Sequence, residues 1–402
     1  MSDALNSYPN SSVDILERLI RTPSENPGGD ERAIVAEIGA LLRAHGVDHE
    51  VVSKDPTRPS IVAKLHGGPG PRLILQGHID TKPAAHAVDS LKTWSRDPFD
   101  PQIIDDRLYG LGACDTKGGV AAQLAAVLEL AGSGDWSGTL EWQGIADEEN
   151  GSRLGAEFFF ETERLKADAA IVSEPTSCQI TTAQLGNCWA DIRIIGRAAH
   201  AGTPWKGVSA TDAALEFASR LKERVAKLQI DPRFPGHPRL NVGILEGGHH
   251  AGTLPGEARL VTDIRVRPKE TRADHWALVR ETAREIETLH NVEIKLSEFA
   301  NGGCESVELA ADHPFAQQLD AAWRQLDEGA TPFGVFFGGS DARYFAAAGT
   351  PVVVFGPGSL EQAHAIDEFV PVQELPLAAR FYASAVRTVL GEPARPHLAK
   401  AD

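Results

Sequence analysis

The sequence runs to 402 residues, enough for two domains of ordinary size. Hydrophobic residues make up 42% and charged residues 24%, the balance of a soluble globular chain and not of a disordered one. Asp plus Glu is 56 and Lys plus Arg is 39, and the resulting net charge of -17 argues against nucleic acid or an anionic membrane surface as a partner.

The first ten residues are polar and lack a basic region followed by an apolar run, so no secretory leader is expected. No run of about eighteen apolar residues marks a membrane span. Cys114, Cys178, Cys188 and Cys304 have neither CxxC spacing nor disulfide-rich density. The expected setting is a reducing cytoplasm.

Helices are expected over 11–21 and 30–45, the second with Asp30 as N-cap and Gly46 as C-cap. Strands follow over 49–52 and 60–65. The next apolar run ends in Gly77-His78-Ile79-Asp80, a buried strand with an imidazole and a carboxylate at its carboxyl end. His78 and Asp80 are two apart and point the same way on an extended chain, so Asp80 can support a metal-bound His78. A glycine-rich approach over 109–116 leads to Asp115, and an apolar helix follows over 120–131. A strand over 139–145 stops at Asp147-Glu148-Glu149. After a helix over 155–163, a strand over 168–172 stops at Ser173-Glu174-Pro175. Strands alternating with helices suggest a mostly parallel, helix-flanked sheet with these polar clusters on one shared edge.

From Gly186 the pattern changes. Strands over 188–195, 241–245, 258–266 and 292–296, with helices over 208–228 and 272–290, give a β-α-β-β-α-β order, the ferredoxin-like pattern. The first pattern then resumes with a helix over 313–326, Ser340-Asp341-Ala342-Arg343, a strand over 351–355 and His364. The expected architecture is α/β: a discontinuous catalytic domain over 1–185 and 299–402, with a smaller domain inserted over 186–298.

Two histidines and several carboxylates form a hard-to-borderline ligand set that suits zinc first, and also cobalt or manganese. His78, Asp115, Glu149, Glu174 and His364 offer five ligands. If the short carboxylate of Asp115 bridges, they supply three contacts to each of two ions, as in hydrolytic two-metal sites. Glu148 is then left over, placed as a general base beside an activated water.

These motifs, together with Gly110 to Gly119, Gly196 to Pro204, Asp263-Ile264-Arg265, Gly339 to Arg343 and His364 to Glu368, resemble the acetylornithine deacetylase / succinyl-diaminopimelate desuccinylase family of dinuclear metallohydrolases. The resemblance covers most of the chain. It implies a zinc-peptidase-like catalytic domain with a helix-flanked mixed sheet, and an inserted lid through which two chains form a homodimer. It assigns His78, Asp115 and Glu174 to one metal, and Asp115, Glu149 and His364 to the other. It makes Glu148 the base, Asp80 the residue that orients His78, and His200 the group that polarises the scissile carbonyl. It also implies a cis Asp115-Thr116 peptide. Two stretches depart from the family pattern. Gln184-Leu185-Gly186 lacks a basic residue before its glycine, and Gly252-Thr253-Leu254-Pro255 lacks the usual Asn. Arg265 and Arg343 remain for an anionic substrate, and Trp189, Trp205, His249 and His250 are candidates to shape the pocket.

The resulting expectation is a two-metal hydrolase that cleaves the amide bond of an N-acyl amino acid or a similar small amide. The alternatives are a dipeptidase or carboxypeptidase, an aminohydrolase acting on a non-peptide C–N bond, and a non-catalytic metal- or ligand-binding relative.

Overall fold

The computed structural model describes residues 11–86 and 93–391, so the polar run over 1–10 lies outside it. The chain divides into two compact units. One comprises residues 1–183, 309–336 and 340–402, and the other comprises 184–308 and 337–339.

The first unit is built on a mixed sheet. Its strand order is His49–Val52, Ser60–His66, Thr139–Ile145, Arg72–His78, Ala169–Val172, Val352–Val354 and Ile180–Gln184. The strands from Thr139–Ile145 to Val352–Val354 run parallel, and the pairs outside them are antiparallel. Parallel strands covered on both faces read as continuous apolar runs. Leu73-Ile74-Leu75, Ala169-Ala170-Ile171 and Val352-Val353-Val354 do so, and all are buried. Helices Ser12–Ile20, Lys117–Ser133, Pro314–Arg324 and Glu374–Leu390 pack into the same core. Because the central strands share a direction, the residues after their carboxyl ends emerge along one edge. His78 ends its strand directly opposite Ile145, and Val172 lies opposite both Gln76 and Val354.

One local expectation is corrected. Asp30 does not cap the second helix, which spans Arg32–Ala44 with Glu31 at the N-cap. The Asp30 carboxylate is taken instead by the Arg32 backbone N–H at 3.0 Å and by the Arg32 guanidinium at 2.8 Å. Asp115 does not follow a strand of the main sheet. Arg107–Tyr109 belongs to a separate three-stranded sheet, and residues 110–116 form turns that lead into the helix Lys117–Ser133. The helix Glu374–Leu390 is absent from the sequence reading, although Leu375, Ala378, Phe381, Tyr382, Ala385, Val386 and Val389 recur at helical spacing and are buried.

The second unit has the expected order: strand Gly186–Ile195, helix Ala210–Val225, strands Leu240–Gly247 and Glu257–Val266, helix Arg272–His290 and strand Glu293–Cys304. In its antiparallel sheet Gly186–Ile195 and Glu257–Val266 are central, while Leu240–Gly247 and Glu293–Cys304 lie at the edges. Its own core includes Ile192, Ile194, Phe217, Leu221, Leu260 and Ile286.

The helix Lys117–Ser133 starts two residues after Asp115, with Thr116 at the N-cap, so its first turn must fit under the loop that carries Asp115. A Cβ at Gly118 would run into the backbone carbonyl of Ala113, whereas at Gly132, on the same helix, a Cβ meets nothing within 4 Å. Gly118→Ala is therefore expected to destabilise the fold by about 1–3 kcal/mol through overpacking. Gly132→Ala should stabilise it by up to about 1 kcal/mol through helix propensity. Denaturant titration of both variants checks the contrast, and equal effects would contradict the packing argument.

Candidate metal centre

His78 and Asp115 form the inner part of the site. His78 Nδ1 lies 2.9 Å from the Asp80 backbone carbonyl and 3.5 Å from Asp80 Oδ1. That partner holds a proton on Nδ1 and turns Nε2 toward Asp115 Oδ1, 3.0 Å away. The other Asp115 oxygen, Oδ2, lies 3.3 Å from His364 Nε2. His364 Nε2 is also 3.2 and 3.1 Å from the two carboxylate oxygens of Glu149. Asp115 thus stands between two imidazoles with one oxygen facing each. The ligand atoms of His78, Asp115 and Glu149 lie within 4.8 Å of one another.

The loops that carry these groups are held by buried acceptors. Glu368 takes the backbone N–H groups of Cys114 and Asp115 on one oxygen, at 2.7 and 2.8 Å, and that of Gly112 on the other, at 3.0 Å. The Asp115-Thr116 peptide is cis, as the resemblance implies. Asp80 is fully buried and accepts from Asn26 Nδ2 at 2.8 Å and from the backbone N–H groups of Glu148 and Glu149 at 3.2 Å each. One residue therefore fixes both parts: the Asp80 backbone carbonyl holds the His78 ring, and its carboxylate holds the turn that presents the acidic pair. Asn26 also donates to Asp147 at 3.0 Å. Asp147 has φ +68° and His364 φ +59°, left-handed conformations that a rigid surrounding must hold.

The electrostatics are those of a crowded anionic pocket. Burial works against the His78 imidazolium, but hydrogen bonds to Asp115 and Asp80 and the field of Glu174 hold its pKa well above the usual value. Burial opposes the His364 cation too, yet Asp115 and Glu149 raise it to about 11. Against the effect of burial, hydrogen bonds from His364 and His78 hold Asp115 far below the ordinary carboxylate range. Glu174 is buried two residues past its strand, and burial, with the fields of Asp115 and Glu148, pushes it well above its normal value. Glu148 is raised to about 8 by burial and by Asp341 and Glu149, an effect partly offset by His78 and Arg343. Carboxylates that resist ionisation together, next to imidazoles that hold their protons, mark a site matched to concentrated positive charge.

Of the expected ligands, His78, Asp115, Glu149 and His364 are joined by direct contacts. Glu174 is linked to them through the electrostatic influence of Asp115 and His78. His200 belongs to the second unit, where its exposed ring accepts the Gly202 backbone N–H on Nδ1 at 3.0 Å. That leaves Nε2 as a donor. Arg265, also in the second unit, is paired with Asp263 at 2.9 Å. Arg343 donates to Ser152 Oγ at 3.1 Å and to the Ser340 carbonyl at 3.2 Å, with Asp341 4.0 Å away. Trp205 is 74% exposed. Sequence reasoning missed Asn26, the cradle formed by Glu368, and Lys82, whose ammonium is 3.3 Å from Glu149 Oε2. Glu368 lay within a motif already singled out, and Lys82 lies two residues after Asp80, so chain proximity was the available signal.

The end of the strand Arg72–His78, the turns over 110–116 and the segment after Leu360–Gln362 bring imidazoles and carboxylates together, which defines a candidate metal-binding α/β protein. Residues 74–388 match the model of peptidase family M20/M25/M40. The chain belongs to that family of metallohydrolases, which act on amide C–N bonds. It is 29% identical over 390 residues to the acetylornithine deacetylase of Vibrio cholerae, covering 94% of this chain and 98% of that one. It is 30% identical to the acetylornithine deacetylase of Proteus mirabilis, over 89% and 91% of the two chains. Among solved structures, a tripeptidase from Staphylococcus aureus superposes with TM-score 0.77 at 23% identity, covering 94% of this chain and 98% of that one. A dinuclear metal-binding peptidase of the M20 family from Bacillus subtilis superposes with TM-score 0.70 at 16% identity, over 94% and 97%. These two likenesses concern the fold.

Histidine ligates a metal only as the neutral ring, so an ion taken up by His78 and His364 would displace the protons that Asp115 and Glu149 favour on them. Loading near pH 7 should therefore release roughly two protons, and affinity should fall as pH falls. Titration calorimetry in buffers of different ionisation enthalpy reads the number directly, and proton-neutral loading would contradict this account of the site.

Proposed function

We propose that the protein is a two-metal deacylase that cleaves the amide bond of an N-acyl amino acid or similar small amide. The observation that carries the reading is the chain His78–Asp115–His364 with Glu149 beside it, and Glu148 left outside these contacts. Two acetylornithine deacetylases similar along nearly the whole chain support the substrate class. In this reading His78, Asp115 and Glu174 hold one divalent ion, and Asp115, Glu149 and His364 hold a second. Zinc fits the ligand set best, with cobalt or manganese as alternatives. Bound there, the ions supply Lewis acidity to the scissile carbonyl and to the attacking water.

The rest is done by side chains. Glu148, as the carboxylate beside the ions, would take a proton from water and return it to the leaving amine. Asp80 keeps His78 and the 147–149 turn in register. His200 offers its Nε2–H to the developing oxyanion. Arg265 and Arg343 are the arginines assigned to an anionic substrate. The second unit is the lid and the dimer contact, and the enzyme works in the cytoplasm as a homodimer. No helix among the described residues is long and apolar enough to cross a membrane.

Glu148→Gln keeps the shape and removes the base, so kcat should fall by roughly 10²–10⁴ while two ions per chain are retained. Kinetics together with elemental analysis test this, and loss of ions with little loss of rate would overturn the assignment. Co-expression of Glu148→Gln with His200→Ala should restore about a quarter of wild-type activity if each site borrows a His200 from its partner. No recovery in verified heterodimers would exclude the crossing.

A further inference from the structure

Lys82 follows Asp80 by two residues and is gripped at both ends by Glu149. Its backbone N–H donates to Glu149 Oε1 at 3.2 Å, its ammonium stands 3.3 Å from Glu149 Oε2, and the same ammonium donates to the Glu149 backbone carbonyl. The lysine is not sealed in. Its side chain keeps 31% of its exposure and lines a pocket with Pro83, Ala84, Trp94 and Leu111 beside Asp115, Glu149 and His364. The Trp94 indole N–H bonds the Ala84 carbonyl at 3.3 Å, and the Ala84 N–H bonds Glu25 at 2.9 Å, so this wall is pinned at two points.

The charge balance then decides what Lys82 can do. One carboxylate cannot neutralise both a divalent ion and an ammonium a few ångströms away, and the two cations repel across a partly buried gap. When an ion draws on the Glu149 carboxylate, the Lys82 ammonium keeps its bond to the Glu149 backbone carbonyl but loses its anionic partner. Arg265 and Arg343, the residues expected to bind an anionic substrate, have partners inside their own units in Asp263 and in Ser152 with Ser340.

We propose that Lys82 is the specificity-determining residue that holds a carboxylate of the substrate next to the metal centre. The carboxylate is carried either by the amino acid or by a dicarboxylic acyl group. This rests on the two-metal deacylase reading above, and its test separates the two.

The test compares wild type, Lys82→Met and Lys82→Arg, each loaded with zinc and checked for two ions per chain. An N-acetyl amino acid is paired with its carboxamide, and an N-succinyl with an N-acetyl amino acid amide, so that the two arms locate the carboxylate. In one arm Lys82→Met should lower the acid-to-neutral ratio of kcat/KM by roughly 10- to 100-fold, the usual loss for a hydrogen bond to a charged group. The change should lie in KM, and Lys82→Arg should keep most of the preference. Calorimetry with succinate and with the free amino acid should show the same loss of binding, independent of turnover. Ratios unchanged in both arms, equal losses on acid and neutral substrates, or a Lys82→Met variant that sheds its ions would each overturn the proposal. Absence of wild-type turnover on every acyl amino acid would instead sink the deacylase reading, and the calorimetry would still decide whether Lys82 binds carboxylates.

Discussion

The structure of the site depends on one carboxylate shared between two imidazoles. Asp115 presents Oδ1 to His78 and Oδ2 to His364, at 3.0 and 3.3 Å. A bridging role requires the carboxylate to sit between two loci with both oxygens free of other demands. The chain meets this by satisfying the surrounding backbone elsewhere. Glu368 takes the N–H groups of Gly112, Cys114 and Asp115, and Gly118 lets the following helix approach the loop closely. Glu368 is itself pushed up to about 8 by burial and by Asp115. The loop is thus held by an acid that donor geometry keeps in place.

Around Asp115 the molecule concentrates negative charge where water is scarce. Glu148, Glu174 and Asp341 all have raised pKa values, with burial the largest cause of each. A group of buried acids is unfavourable for a fold unless protons or cations compensate. Here the compensation comes from His78, His364 and Lys82. The same arrangement that burdens the fold makes the edge of the sheet receptive to divalent ions and to the proton transfers of amide hydrolysis. The parallel strands supply the rigidity, because residues after their carboxyl ends have no freedom to drift apart.

Much of this was legible in the sequence for a physical reason. Leu73-Ile74-Leu75 and Ala169 to Val172 are apolar runs, so the first charged or ionisable residues after them, His78 and Glu174, stand out, while Glu148 and Glu149 stand out after the alternating strand Thr139–Ile145. Asp115 follows turns and not a main-sheet strand, and its assignment rested on the glycine-rich approach and the apolar helix beyond. The Asp30 cap was misread because Arg32, two residues on, competes for the same carboxylate at short range. Partners such as Asn26 and Asp80, 54 residues apart, leave no periodic trace in the chain. Nor does the anchoring of Asp115 by Glu368 across 253 residues.

The central claim, that Asp115 is shared by two ions, is tested most directly by anomalous scattering from crystals of the zinc-loaded enzyme at the zinc edge. The account predicts two peaks per chain, roughly 3.5–4 Å apart, one on each side of the Asp115 carboxylate. A single peak, or two peaks that do not flank Asp115, would contradict it.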